Sequence, residues 1–204
     1  MALRKPVGCA FLALAVAVAG CGGNGEGTSS APGSAPTWPA PPNPMELTSK
    51  AGLTPERAEF LQYHVHAHLD VFFNGNSVLV PAGIGINVDD PAVQGDPESG
   101  IGLAGECDKP CISPLHTHAT DGVLHTETKT VEPNRLGQFF TEWDVRLDSS
   151  CVGEFCDPET TIAIYVDGKV NEGDPREIEL SDGREIAIVI GSAPDEIPSE
   201  FTQQ

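Results

Sequence analysis

Residues 116–127 read His-Thr-His-Ala-Thr-Asp-Gly-Val-Leu-His-Thr-Glu, a run that places metal-ligating side chains at alternating positions. Asp121-Gly122 is a strong signal for a two-residue hairpin turn, because a type I′ turn needs φ > 0 at both central positions. Counting outward from it pairs Thr120 with Val123, His118 with His125 and His116 with Glu127. Side chains alternate along a strand, so His116, His118, His125 and Glu127 share one face. Directly opposite residues carry Cβ atoms roughly 4.5–5.5 Å apart, a span that one metal ion bridges. Imidazole suits zinc and copper, and the expected cofactor is an ion of one of these.

A second cluster, His64-Val-His-Ala-His68, points His64, His66 and His68 one way if the run is extended. All six histidines of the chain lie in these two motifs. They exceed the needs of one four-coordinate ion, and fit a crowded single site, two adjacent sites or a dinuclear one. Met1 and Met45 are the only methionines, so a methionine-rich copper(I) route is absent. The leading expectation is therefore capture, buffering or delivery of Cu²⁺ or zinc. A metalloenzyme is the alternative: three histidines with an open fourth position would lower the pKa of a bound water to around 7. Glu127 would then act as base, or orient His116. No His-Glu-x-x-His motif is present, and no Ser or Cys nucleophile sits in a recognisable setting. A third reading makes the histidines structural, within an envelope-interaction domain.

The elements that must hold these residues can be read in outline. Thr54-Pro55 suits the start of a short helix to about Gln62, delivering the chain to His64. A strand over His66–Phe73 meets Ser77–Pro81 across Asn74-Gly75, and His66 and His68 would stand on its rigid body. The region 88–115 is rich in Pro and Gly and is expected to cross the surface between the two histidine motifs. Asn134 can cap a helix through Trp143, whose Leu136, Phe139, Phe140 and Trp143 form an apolar stripe belonging to the core. Thr161–Val166 turns at Asp167-Gly168, and Ile178–Leu180 is expected to pair with Glu185–Ile190 across residues 181–184. The sum is an α+β, mostly β single domain of short antiparallel strands, a sandwich or rolled sheet, with two short helices.

The ends and the charge bound the setting. Arg4 and Lys5 precede a Val7–Ala19 apolar run that is too short for a confident membrane span and reads as a signal peptide over 1–20. Its end, Leu14-Ala-Val-Ala-Val-Ala-Gly-Cys21, resembles the lipobox of bacterial lipoproteins. That resemblance implies a lipidated Cys21 anchoring the chain to the outer face of the cytoplasmic membrane. Residues 21–46, rich in Gly, Ser, Ala and Pro, read as a tether, leaving a His-rich domain over 47–204 of ~155 residues, enough to bury a real core. The net charge is −19, becoming −21 when Arg4 and Lys5 leave with the signal. With no basic patch, nucleic acid is not an expected partner; diffuse acidity concentrates cations only weakly. The partners are the membrane, through the lipid, and a metal ion. Cys107, Cys111, Cys151 and Cys156 suggest two disulfides in an exported domain, with three connectivities open. Cys111 is also close enough to His116 to be a rival thiolate ligand.

Taken together, His64-x-His-x-His68-Leu69, Val80-Pro-Ala-Gly-Ile-Gly85, Leu115-His-Thr-His118 with Gly122 and His125-x-Glu127, Leu136-Gly-Gln-Phe-Phe140 with Trp143, and Gly173-Asp-Pro-Arg176 resemble an uncharacterised family of exported or membrane-anchored bacterial proteins. The resemblance covers nearly the whole folded domain. It implies a location outside the cytoplasm and no particular activity.

Overall fold

A computed structural model describes Met1 and residues 34–201; the rest of the expected signal peptide, Cys21 and the first part of the expected tether lie outside the described residues. The strands are β1 (Tyr63–Phe73), β2 (Asn76–Val78), β3 (Val93–Asp96), β4 (Gly100–Leu103), β5 (Leu115–His116), β6 (Val123–Thr128), β7 (Cys151–Val152), β8 (Phe155–Cys156), β9 (Ile162–Val166), β10 (Lys169–Val170) and β11 (Arg184–Ile190). Two short helices, α1 (Pro44–Lys50) and α2 (Leu136–Glu142), and a 3₁₀ turn at Pro175–Glu177 complete the domain. The molecule is thus mostly β, with strands that pair chiefly antiparallel.

Seven strands form one sheet in the order β10-β9-β11-β1-β6-β5, with β2 beside the far end of β1. Its centre is the parallel pair β1–β11, and every other pair in it is antiparallel. The strong turn signals at Asn74-Gly75 and Asp167-Gly168 both make tight hairpins, with φ positive at all four residues. Alternation then sorts the strands into two faces. Ala67, Leu69, Val71 and Phe73 of β1, Leu124 of β6, and Ile186, Ile188 and Ile190 of β11 enter the main core. There they meet Leu136, Phe139 and Phe140 of α2 and Trp143 at its C-cap, all at most 1% exposed. Each such side chain contributes about 1.5–3 kcal/mol by burial, which makes α2 the clamp on this face. The histidines of β1 and β6 occupy the opposite face.

Four local expectations are corrected by tertiary pairing. The helix expected over 54–62 does not form. Glu56 N donates to Ile112 O at 2.7 Å, Cys111 N to Glu56 O at 2.8 Å and Cys107 N to Arg57 O at 2.9 Å, so this backbone is committed across the chain. Glu179 bridges Arg135, so Ile178–Leu180 does not pair with β11, whose two edges are taken by β1 and β9. Asn134 does not cap α2; Arg135 is the N-cap, while the Asn134 amide donates to Pro114 O and Thr126 Oγ1. The tether expected through residue 46 is already part of the fold in its last third. Trp38 packs edge-on against Trp143 at 5.7 Å between ring centroids, and its carbonyl accepts the Trp143 indole N–H at 3.0 Å.

The cysteines form two local disulfides, Cys107–Cys111 and Cys151–Cys156. Cys111 therefore has no thiolate to offer a metal. Cys107 and Cys111 sit in a smaller apolar cluster with Ala82, Ile86, Ile101 and Ile112, a second layer built by the 80–112 region. That region contains the β3–β4 ribbon and is more ordered than a surface loop.

Candidate metal centre

β6 lies antiparallel between β1 and β5, which brings the two histidine motifs together. Along one edge, His64 faces Glu127 and His66 faces His125; along the other, His116 faces His125. The latter register differs by two residues from that counted about Asp121-Gly122. Asp121 does not take a positive φ, and its carboxylate instead accepts Val123 N at 3.0 Å. The 117–122 segment is held from outside: Thr117 N donates to Ile84 O, Ile101 N to His118 O, and Leu69 N to Gly122 O. A shift of two residues leaves every side chain on its original face, so His116, His118, His125 and Glu127 still converge. Their ligand atoms all lie within 4.8 Å of one another.

The tautomers within this set follow from backbone contacts. His116 Nδ1 is 2.8 Å from Ser113 O and His118 Nδ1 is 2.5 Å from Ile101 O. A carbonyl only accepts, so both Nδ1 atoms carry the proton and both neutral rings present a lone pair at Nε2. Those two Nε2 atoms face each other at 3.1 Å. His116 is fully buried, and this desolvation, with His118 beside it, lowers its pKa to about 3. Two acceptors pointed at each other without a proton between them are repulsive, whereas a cation placed there satisfies both. His125 Nδ1 and Glu127 Oε2 are buried without a hydrogen-bond partner among the described residues. The chemistry of this donor set, three imidazoles and one carboxylate, fits a four-coordinate transition-metal ion.

His64 and His66 make a second pair, Nε2 to Nε2 at 2.8 Å, and form another group within 4.8 Å together with His125. Burial, reinforced by His125 and His64, lowers the His66 pKa to about 4. Glu127 Oε1 is 3.2 Å from His64 Nε2 and 3.7 Å from His125 Nδ1. Burial raises the Glu127 carboxyl, but His125, His116 and His64 outweigh it and hold the group below its ordinary value.

His68 departs from the expected ligand set. Its Nδ1 is 3.0 Å from Glu185 Oε2 and its Nε2 2.8 Å from Asp121 O, so both nitrogens donate and neither keeps a lone pair. Burial lowers its pKa, yet the Glu185 hydrogen bond and charge, with Asp70, raise it on balance. His68 is best described as an imidazolium, stacked at 5.1 Å on Phe201. Its grouping with Asp70 and Glu185 is an ion pair in its own right.

Residues outside the motifs complete the site. Gly85 backs onto His116: a Cβ there would collide with Leu115 O and stand 3.2 Å from His116 Cβ. Glu59 lies within electrostatic reach of His118, His125, His64 and Glu127; burial, then Glu127, raises its carboxyl while the histidines oppose the shift. Glu59 falls within the helix expected over 54–62, and a lone glutamate there carries no spacing signal that would mark it as part of the site. No family model, no curated protein and no solved structure matches the chain.

Proposed function

We propose that this protein is an extracytoplasmic lipoprotein that binds copper or zinc through its histidine clusters, for capture, buffering or delivery outside the cell membrane. The observation that carries the reading is the facing pair of Nε2 lone pairs on His116 and His118, each fixed by an Nδ1–H bond to a backbone carbonyl. Metal-ligating histidines are commonly oriented through the other ring nitrogen in this way. Three histidines and Glu127 supply four ligands, the number a tetrahedral ion takes, which suits holding an ion more than activating a water at an open position. The lipobox-like end at Cys21, and two disulfides of the kind favoured in oxidising compartments, support the location. Among the described residues no helix is long and apolar enough to cross a membrane.

Elemental analysis of the purified full chain tests the reading, with His118→Ala/His125→Ala as control. At least one equivalent of copper or zinc, absent from the control, is expected. Absence of metal after incubation with Cu²⁺ and Zn²⁺ would leave a structural histidine cluster and end the proposal.

A further inference from the structure

We infer that the centre holds two metal ions that share His125, an inner ion on His116, His118 and Glu127 and an outer ion on His64 and His66. The inference rests on the metal-binding reading above and adds stoichiometry, ligand sharing and an order of depth to it. Ligands lie about 2.0–2.1 Å from a tetrahedral zinc, so two of them stand roughly 3.3 Å apart. Two separate pairs approach that spacing: His116 and His118 at 3.1 Å, and His64 and His66 at 2.8 Å. They fall into different ligand groups, and His125 is the member the two groups have in common. Its ring centroid is 4.3 Å from that of His66 and 4.4 Å from that of His118, midway between the pairs. An imidazole has two nitrogens, and one can serve each ion. When both are coordinated, the remaining ring proton of His125 passes to solvent and the ring becomes an imidazolate.

Charge and exposure fit this arrangement. Glu127, Glu59 and the imidazolate place three negative charges about two divalent ions. Glu127 touches both halves, since Oε1 meets His64 at 3.2 Å while the buried Oε2 is left for the inner ion. The two positions differ in depth: His116 is 0% exposed, whereas the His64 side chain is 36% exposed. The outer ion is therefore the one open to exchange with solvent or a metal acceptor, and the inner ion is the one retained.

The test is titration of the metal-free full chain with Cu²⁺, read by bound copper after gel filtration and by electron paramagnetic resonance. Two ions per chain are expected, and the signal of the first should fall by more than half as the second binds, because an imidazolate couples the two spins. His64→Ala/His66→Ala should bind one ion with an undiminished signal. The single His64→Ala change, at an exposed position, should likewise lose the second ion and serves if the double variant folds poorly. His68→Ala should keep both ions. One ion per wild-type chain would overturn the inference and leave the metal-binding reading intact. So would a second ion retained by the His64→Ala/His66→Ala variant. Two ions with full spin intensity would overturn the sharing of His125, and neither copper nor, in a parallel titration, zinc retained by the chain would overturn the reading beneath.

Discussion

The six histidines differ in what each ring nitrogen can do, and that difference decides which of them can offer a lone pair to a metal. His116 and His118 spend Nδ1 on carbonyls and keep Nε2 as a lone pair, whereas His68 spends both nitrogens as donors. His118→Ala should therefore behave oppositely in the two states of the protein. Without metal it removes one of two repelling acceptors and a single hydrogen bond, a change of about 1 kcal/mol or less. With Cu²⁺ or Zn²⁺ present it should sharply reduce the ligand-induced rise in Tm, measured by thermal unfolding at several metal concentrations. A purely structural role predicts a large loss of stability in both states. For His68 the folded pKa lies above the unfolded value, so its bond to Glu185 stabilises fully below about pH 6.5. That contribution is lost as pH rises through the folded pKa. The Tm gap between wild type and His68→Ala should thus widen from pH 8 to pH 6, and an equal gap at both would refute the imidazolium assignment.

Among the elements, β6 is the one on which the centre depends, because it carries His125 and Glu127 and touches both β1 and β5. Its position against β1 is set at its entrance by Gly122. There φ is +78°, and a Cβ would lie 2.6 Å from Leu69 O and 2.9 Å from His68 Nε2. Gly122→Ala should destabilise the domain by about 1–3 kcal/mol through the left-handed backbone and the forced separation of the strands. It should also weaken metal binding without removing any ligand, and chemical denaturation together with a metal titration would separate the two effects. The 80–112 layer plays the matching part for the other strand. Its Ile84 and Ile101 backbone groups hold Thr117 and His118 after β5 has left the sheet, which explains how His118 stays beside His116 without a ladder partner.

For the molecule as a whole, the two faces of one sheet divide the labour: one carries the aromatic core under α2, the other the histidines. The chain before β1 belongs to the first of these. Trp38 docks on Trp143, and Thr48 of α1 donates to the fully buried Glu142 of α2 at 2.7 Å. Burial raises Glu142 to about 8, against hydrogen bonds from Ser113 and Thr48, so this joint is made with a protonated carboxyl at neutral pH. Trp38→Ala should cost about 1–3 kcal/mol, below the range of a fully buried tryptophan, since Trp38 is only half-buried. Its metal stoichiometry should be unchanged because the site is on the opposite face. Loss of metal at a temperature where the variant remains folded would show that the two faces are coupled.

By itself the sequence determined the ligand chemistry and the face on which it lies. Alternation along a strand is a local property, so His116, His118, His125 and Glu127 had to converge once the segment was extended, and a register error of two residues did no harm. The stripe of α2 and the tight turns at Asn74-Gly75 and Asp167-Gly168 were legible for the same local reason. Only the tertiary structure decided that β1 pairs with β6, that His68 turns to Glu185, and that residues 54–62 give up a helix. These depend on partners 50 to 117 residues distant in the chain, such as Arg57 with Cys107 or His68 with Glu185. Local propensity is worth tenths of a kcal/mol per residue, roughly, and yields to backbone hydrogen bonds and burial supplied from elsewhere in the fold.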